Sequence, residues 1–262
     1  MPALPPASAE SAIVARLRAA GCVFAEEEAR LLIAEASTRE DLSTIVDRRV
    51  AGEPLEYIVG WVEFCGQRIV VEPGVFVPRK RTEFLVRQAI SLMAERPVVV
   101  DMCCGAGAIG AALLARMPRA EMYAADIEPA AVRNARRNLP AASVVEGDLF
   151  DPLPASLRGR VDVLVVNAPY VPTAAITWMP PEARDHEPMV TLDGGHDGLD
   201  VQRRVVAAAP SWLLASGYLL IESSKQQAPQ LAEIFDAAGL APRVAEDDDI
   251  GATIVIGRRT IH

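Results

Sequence analysis

Apolar positions recur at helical spacing through the first fifty residues and then change period. Residues 8–20 carry Ile13, Val14 and Leu17 and meet a stop at Gly21. Residues 26–36 place Ala29, Leu32 and Ile33 on one side, and residues 38–50 open on Thr38 as a cap, with acids in the first turn and Leu42, Ile45 and Val46 behind them. Three helices are predicted, forming a small helical domain over residues 1–52. From Trp61 to Glu72 the pattern alternates, with Gly66 between two runs, which predicts a β-hairpin linker within residues 53–77. After Pro78 short apolar runs alternate with helical ones. Strands are predicted at 98–100, 122–125, 143–145, 161–166 and 213–222, and helices at 108–116, from the second strand through Asn138, and at 226–238. Val244 and residues 254–256 begin and end a last antiparallel pair. Such alternation implies an α/β domain over residues 78–262, with a mostly parallel sheet covered on both faces.

The bulk numbers narrow the chemistry. With 262 residues, 51% of them hydrophobic, the chain can bury a sizeable core. A net charge of -9 argues against holding nucleic acid by broad phosphate neutralisation. Cys22, Cys65, Cys103 and Cys104 form no C-x-x-C pair, so reduced thiols are expected. Residues 1–6 lack the features of a signal peptide, and no apolar run approaches the roughly 20 residues that span a bilayer. A soluble, cytoplasmic protein is expected, with no membrane partner. His186, His196 and His262 share no metal-ligand spacing, so no metal site is expected. The acidic run at 246–249 reads as a solvated loop, and Arg133, Arg136 and Arg137 as exposed charge. Lys80 and Arg81 read either as a solvated pair or as contacts for an acidic or RNA-bound partner. The long segment holding Trp178, Met179 and Pro180–Pro181 reads as a substrate lid or as irregular surface.

The run V-V-V-D-M-C-C-G-A-G-A-I-G, residues 98–110, passes from a buried strand into a helix. Gly105, Ala106 and Gly107 let backbone approach a ligand, and the helix N-terminus offers N–H groups and a positive dipole end. Gly105, Gly107 and Gly110 match G-x-G-x-x-G, with Asp126 about 20 residues on. This alone does not separate a nicotinamide dinucleotide from S-adenosylmethionine. Asp101 shifts the balance, because an acid at the first strand's end suits an ammonium group and repels a pyrophosphate. Asp126 would take ribose hydroxyls, and Asp148 could meet an adenine amino group. The vicinal pair Cys103–Cys104 reads as small residues in a tight turn.

Asn167–Ala168–Pro169–Tyr170 follows the most apolar strand. An amide or aromatic amino nitrogen is a poor nucleophile because its lone pair is delocalised. Two acceptors, the Asn167 side-chain oxygen and the Ala168 carbonyl, can grip its two hydrogens and turn the lone pair toward a sulfonium methyl. Tyr170 supplies a flat wall, and Pro169 fixes the backbone.

On these motifs the chain resembles the HemK/PrmC family of protein-(glutamine-N5) methyltransferases along nearly its whole length. The resemblance rests on P-L-E-Y-I-V-G-W-V-E-F-C-G (54–66), V-P-R-K-R-T-E-F-L-V (77–86), the glycine turn, N-A-P-Y where the family has N-P-P-Y, and E-P-M-V-T-L-D-G-G-H-D-G-L (187–199). It implies a seven-stranded Rossmann-like class I methyltransferase sheet behind the helical domain and hairpin. It implies S-adenosylmethionine contacts from Cys103, Cys104, Gly105, Ala106 and Gly107, from Asp126, from Leu149 beside Asp148, and from Asn167. The acceptor would be a protein glutamine meeting Asn167, Ala168, Pro169 and Tyr170, in the family a release-factor glutamine. The chain departs from the pattern at Cys103 (a glycine), at Ala168 (a proline), at Lys80–Arg81 (P-E) and in a C-terminal segment without the usual arginine, as in a paralogous branch. The rival readings are a methyltransferase for an exocyclic amino group of a nucleic-acid base, a cofactor-binding paralogue without activity, and, weakest, a nicotinamide oxidoreductase.

Overall fold

The computed structural model describes residues 7–260; the readings made on residues 1–6 and His262 lie outside it. Three helices, α1 (Ala7–Ala19), α2 (Ala25–Glu35) and α3 (Arg39–Val50), bury Leu17, Ala29, Leu32 and Val46 against one another. Thr38 caps α3 as expected, its hydroxyl accepting from the Asp41 N–H at 3.0 Å. A short helix not foreseen from the sequence, α4 (Leu55–Val59), ends on Gly60 in the left-handed region.

The hairpin pairs β1 (Trp61–Phe64) with β2 (Gln67–Val70). Its two turn residues, Cys65 and Gly66, have φ of 51° and 77°. Positive φ at both centres matches the right-handed twist of the strands, so a two-residue turn closes the pair. Behind it follow α5 (Glu83–Leu92), β3 (Val98–Met102), α6 (Ala108–Arg116), β4 (Glu121–Asp126), α7 (Pro129–Asn138), β5 (Ser143–Glu146) and β6 (Val161–Val166). Then come α8 (Pro181–His186), α9 (Asp200–Ala208), β7 (Leu213–Ser223), α10 (Ala228–Ala237), β8 (Leu240–Asp247) and β9 (Ala252–Arg259).

The strands form one seven-stranded sheet in the order β5-β4-β3-β6-β7-β9-β8, parallel from β5 to β7, with β9 antiparallel to both its neighbours. The chain leaves β3 for β4 and β5, then returns to the other side of β3 as β6. A crevice therefore opens beyond the carboxyl ends of β3 and β6. One apolar layer, including Leu85, Leu113, Val132 and Val163, covers one face; the other holds Leu164, Leu219, Leu231 and Phe235.

The acidic run is a solvated loop only in its second half: Asp248 and Asp249 lie in an exposed turn, while the first half is strand. Glu246 and Asp247 end the edge strand β8, and Lys225 pairs with Glu246 at 2.8 Å while Arg87 pairs with Asp247 at 2.5 Å. Charged residues on an outer strand also discourage edge-to-edge pairing. Arg136 likewise does more than lie in solvent, since its guanidinium donates to the Val144 carbonyl at the end of the sheet. No helix among the described residues is long and apolar enough to cross a membrane.

Candidate active site

The crevice is an open cavity whose empty space, counting its mouth and the adjoining solvent, is about 1380 Å³. Its floor is the β3–α6 turn. Cys103, Cys104, Gly105 and Ala106 line it, with Cys103 and Gly105 at φ of 57° and 53°. A cysteine in the left-handed region is uncommon and costs on the order of 1 kcal/mol relative to glycine. Burial pushes both thiols, Cys103 and Cys104, up from the ordinary value, so neither is a ready nucleophile.

Two residues expected against the ligand stand behind the lining. Gly107 caps α6 with φ of 78°, and a Cβ there would sit 2.8 Å from a Leu139 methyl, so it is needed for close packing of α6 on α7. Asp101 is fully buried; its Oδ2 accepts from the Gly110 N–H at 2.9 Å, which ties β3 to the first turn of α6. Its Oδ1 has no partner among the described residues, and burial lifts its carboxyl to about 8. Asp101 thus braces the turn from beneath rather than facing a ligand. With its folded value raised, Asp101 contributes stability that is full below the ordinary carboxylate range and is lost as pH rises through about 8. Asp101→Asn, isosteric with the protonated acid, is expected to flatten urea-unfolding stability between about pH 4 and 8, where the wild type should decline.

Asp126, at the tip of β4, lines the cavity. The Gly105 and Glu128 N–H groups donate to its two oxygens at 2.8 and 2.9 Å, which fixes the carboxylate before any ligand arrives. Burial still raises its pKa. Asp148 and Leu149 follow β5 and also line the cavity; Asp148 is paired at 2.6 Å with Arg204 of α9, a second lining residue that sequence reasoning did not find.

On the far side β6 ends in the Asn167–Tyr170 tetrapeptide, and all four residues line the cavity. The Asn167 amide donates to the Thr82 hydroxyl at 3.5 Å. Neither its Oδ1 nor the Ala168 carbonyl receives a hydrogen bond among the described residues. The next two carbonyls are both taken: Gln202 donates to Pro169 at 3.3 Å and Gln227 to Tyr170 at 2.9 Å. The loop is thus buttressed from α9 and from the start of α10, leaving the two acceptors at the strand tip unspent.

The segment 187–199 explains itself as support. Glu187, its side chain 1% exposed, accepts from Arg79 at 2.6 and 2.7 Å and from the Val77 N–H at 3.2 Å, pinning the long segment to the chain after the hairpin. Val171 and Asp193 form a parallel bridge, and Gly198 packs on the Tyr170 carbonyl. The stretch around Trp178–Pro181, expected to be a substrate lid or irregular surface, carries a 3-10 segment (Thr173–Trp178) and α8; Met179, Val190 and Leu192 line the cavity, while Trp178 is 87% exposed. Arg81 is only partly solvated: its side chain is 42% exposed, yet it also lines the cavity and its guanidinium reaches Tyr170. Lys80 is exposed and pairs with Glu83 at 2.8 Å. No cluster of three or more metal-ligating side chains occurs among the described residues.

A glycine turn under a helix N-terminus, a preset carboxylate at the next strand tip and an acceptor-bearing tetrapeptide across the crevice define a class I S-adenosylmethionine-dependent methyltransferase. A family model for the methyltransferase small domain matches residues 66–179. The release factor glutamine methyltransferase of Geobacter sulfurreducens is 38% identical over 82% of this chain and 76% of its own length. The 4-amino-L-phenylalanine/4-methylamino-L-phenylalanine methyltransferase of Streptomyces pristinaespiralis is 37% identical over 74% of this chain and 69% of its own. In fold, a methyltransferase from Pyrococcus furiosus superposes with a TM-score of 0.57 at 14% identity, covering 75% of this chain and 90% of that one. The chain belongs to the release factor glutamine methyltransferase (HemK/PrmC) family.

Proposed function

We propose that this protein transfers a methyl group from S-adenosylmethionine to the side-chain amide nitrogen of an exposed glutamine in a peptide-chain release factor. The observation that carries the reading is the pair of unspent acceptors, Asn167 Oδ1 and the Ala168 carbonyl, in one cavity with the glycine turn and Asp126. S-adenosylmethionine supplies a methyl carbon on a positively charged sulfur; Cys103 to Ala106, Asp126, Asp148 and Leu149 are the residues that would hold it. The remaining work belongs to the acceptor side. Both amide hydrogens donate to the two acceptors, which leaves the nitrogen lone pair facing the methyl carbon. Near-contact in alignment supplies a large share of the rate. The nitrogen would gain the methyl as the carbon–sulfur bond breaks, the bonding pair staying on sulfur so that the neutral thioether S-adenosylhomocysteine leaves. One of the two held protons becomes acidic as the new bond forms and passes to solvent, so no strong base is required. Tyr170 stacks on the planar amide, and the apolar walls from Phe64 and Phe76 keep water from competing.

The test uses the full chain with radiolabelled S-adenosylmethionine and an extract of cells lacking this protein, followed by mass spectrometry of the labelled band. Label on a release-factor glutamine is expected. Because a relative is named for an aromatic amine acceptor, 4-amino-L-phenylalanine is offered in parallel. Transfer to that amine with none to any protein would overturn the reading.

A further inference from the structure

Arg81 leaves the single 3-10 turn Lys80–Thr82 ahead of α5 and turns inward. Its Nη2 donates to the Tyr170 hydroxyl oxygen at 2.6 Å and its Nε to Glu222 Oε1 at 3.2 Å. The phenol donates on to the same Glu222 oxygen at 3.5 Å. The three groups close a triangle in which every edge is a hydrogen bond. Glu222, at the carboxyl end of β7, has a side chain only 2% exposed, and its Oε2 has no partner among the described residues. A carboxylate so buried needs a cation beside it. The neighbouring Arg79 is already committed to Glu187, so Arg81 fills that need.

The arrangement bears on Tyr170 more than on Glu222. An aromatic side chain on a loop has two free torsions, and a stacking wall is useful only at one tilt. A charge-assisted bond to the phenol oxygen removes that freedom, and a buried anchor at the other end of the guanidinium keeps the bond in place.

We propose that Arg81 is a positioning residue that locks the Tyr170 ring against Glu222 and thereby fixes which planar group the acceptor end of the cavity admits. This rests on the reading of Tyr170 as the acceptor's wall.

The experiment compares the full chain with Arg81→Gln, Arg81→Lys, Tyr170→Phe and the double variant Arg81→Gln/Tyr170→Phe. Methyl transfer to purified release factor gives kcat and KM, and calorimetry with S-adenosylhomocysteine gives cofactor-site affinity. Arg81→Gln and Tyr170→Phe are each expected to raise KM about tenfold, on the scale of one lost charge-assisted bond. Arg81→Lys should recover part of the loss, the double variant should be no worse than the worse single, and the calorimetric Kd should stay unchanged. Strictly additive losses, or Kd rising in step with KM, would overturn the proposal in favour of a merely structural arginine.

A second readout does not need turnover. Of the four tyrosines labelled with 13C at Cζ, the signal missing from Tyr170→Phe belongs to Tyr170. Burial raises this phenol's pKa and Glu222 raises it further, whereas Arg81 and, less directly, Arg79 lower it. Removing the Arg81 charge is expected to move that titration to higher pH. If the wild type methylates no release factor, the functional reading fails while the titration still decides the role of Arg81; an unmoved titration overturns the role itself.

Discussion

Asn167→Ala is expected to lower methyl transfer by about a thousandfold or more, while the chain stays folded and binds S-adenosylhomocysteine within about tenfold of the wild type. The asymmetry follows from what the side chain does. Its one side-chain hydrogen bond among the described residues is a 3.5 Å contact to Thr82, so stability should depend on it little. Its Oδ1 is one of the two unspent acceptors at the strand tip proposed to hold an amide's hydrogens, and losing it would leave the nitrogen free to rotate its lone pair away from the methyl carbon. Asn167→Asp keeps an oxygen in place and should fall between the two, since it retains the acceptor and loses the donor to Thr82. Single-turnover rates, circular dichroism and calorimetry on the three proteins check this. A turnover number in Asn167→Ala near that of the wild type would remove the basis for the proposed chemistry.

The parts of this site that were legible in the sequence are those governed by local rules. The glycine turn, the acids after successive strands and the tetrapeptide after an apolar strand all declare themselves by spacing, and the hairpin declares itself by alternation around Gly66. What local rules do not carry is direction. Asp101 lies at the right strand end, but its carboxylate turns back to the Gly110 N–H because the first turn of α6 has an unsatisfied donor there. Gly107 was read as a ligand-facing glycine and is one that Leu139 requires. Convergence is the other thing a linear reading lacks. Arg81, Tyr170 and Glu222 lie on three separate elements, and Gln202 and Gln227 carry no motif, yet together they decide how the tetrapeptide is held. The missed helices α5 and α9 did leave a signal. Phe84, Leu85 and Ala89, and Val201, Val205 and Val206, fall at helical spacing.

These support contacts also separate the two halves of the cavity. The side proposed for the cofactor is set by backbone N–H groups and close glycine packing within β3, β4 and the helices after them. The side proposed for the acceptor is set by side chains from distant segments, Arg79 to Glu187 and Gln227 to Tyr170 among them. A change in the second set can alter the acceptor while leaving the first intact.

Gly198 gives the sharpest test of that separation. Its φ is +79°, and a Cβ built there would lie 2.3 Å from the Tyr170 carbonyl oxygen and 2.3 Å from Gln227 Nε2. Gln227 at this point bridges the Tyr170 and Asp197 carbonyls, both at 2.9 Å. An added methyl must push the Tyr170 backbone back by about 1 Å, and displacement on that scale costs on the order of a hundredfold in rate. The left-handed backbone adds strain for any residue with a Cβ. Gly198→Ala is therefore expected to lose about 2 to 4 kcal/mol of stability, through clash, strain and the broken bridge together, and to lower kcat about a hundredfold. S-adenosylhomocysteine affinity should change much less, because Asp126 and the glycine turn are not in contact with this corner. Gly239→Ala is the matched control: its φ is +75°, and a Cβ there meets nothing within 4 Å, so it should show only the backbone strain, about 1 kcal/mol, at full activity. Urea unfolding, kinetics and calorimetry on the two variants read all three quantities. Should Gly198→Ala behave like Gly239→Ala, the segment 187–199 would not be what holds the tetrapeptide in register, and its ordering against β6 would have to serve something other than the acceptor.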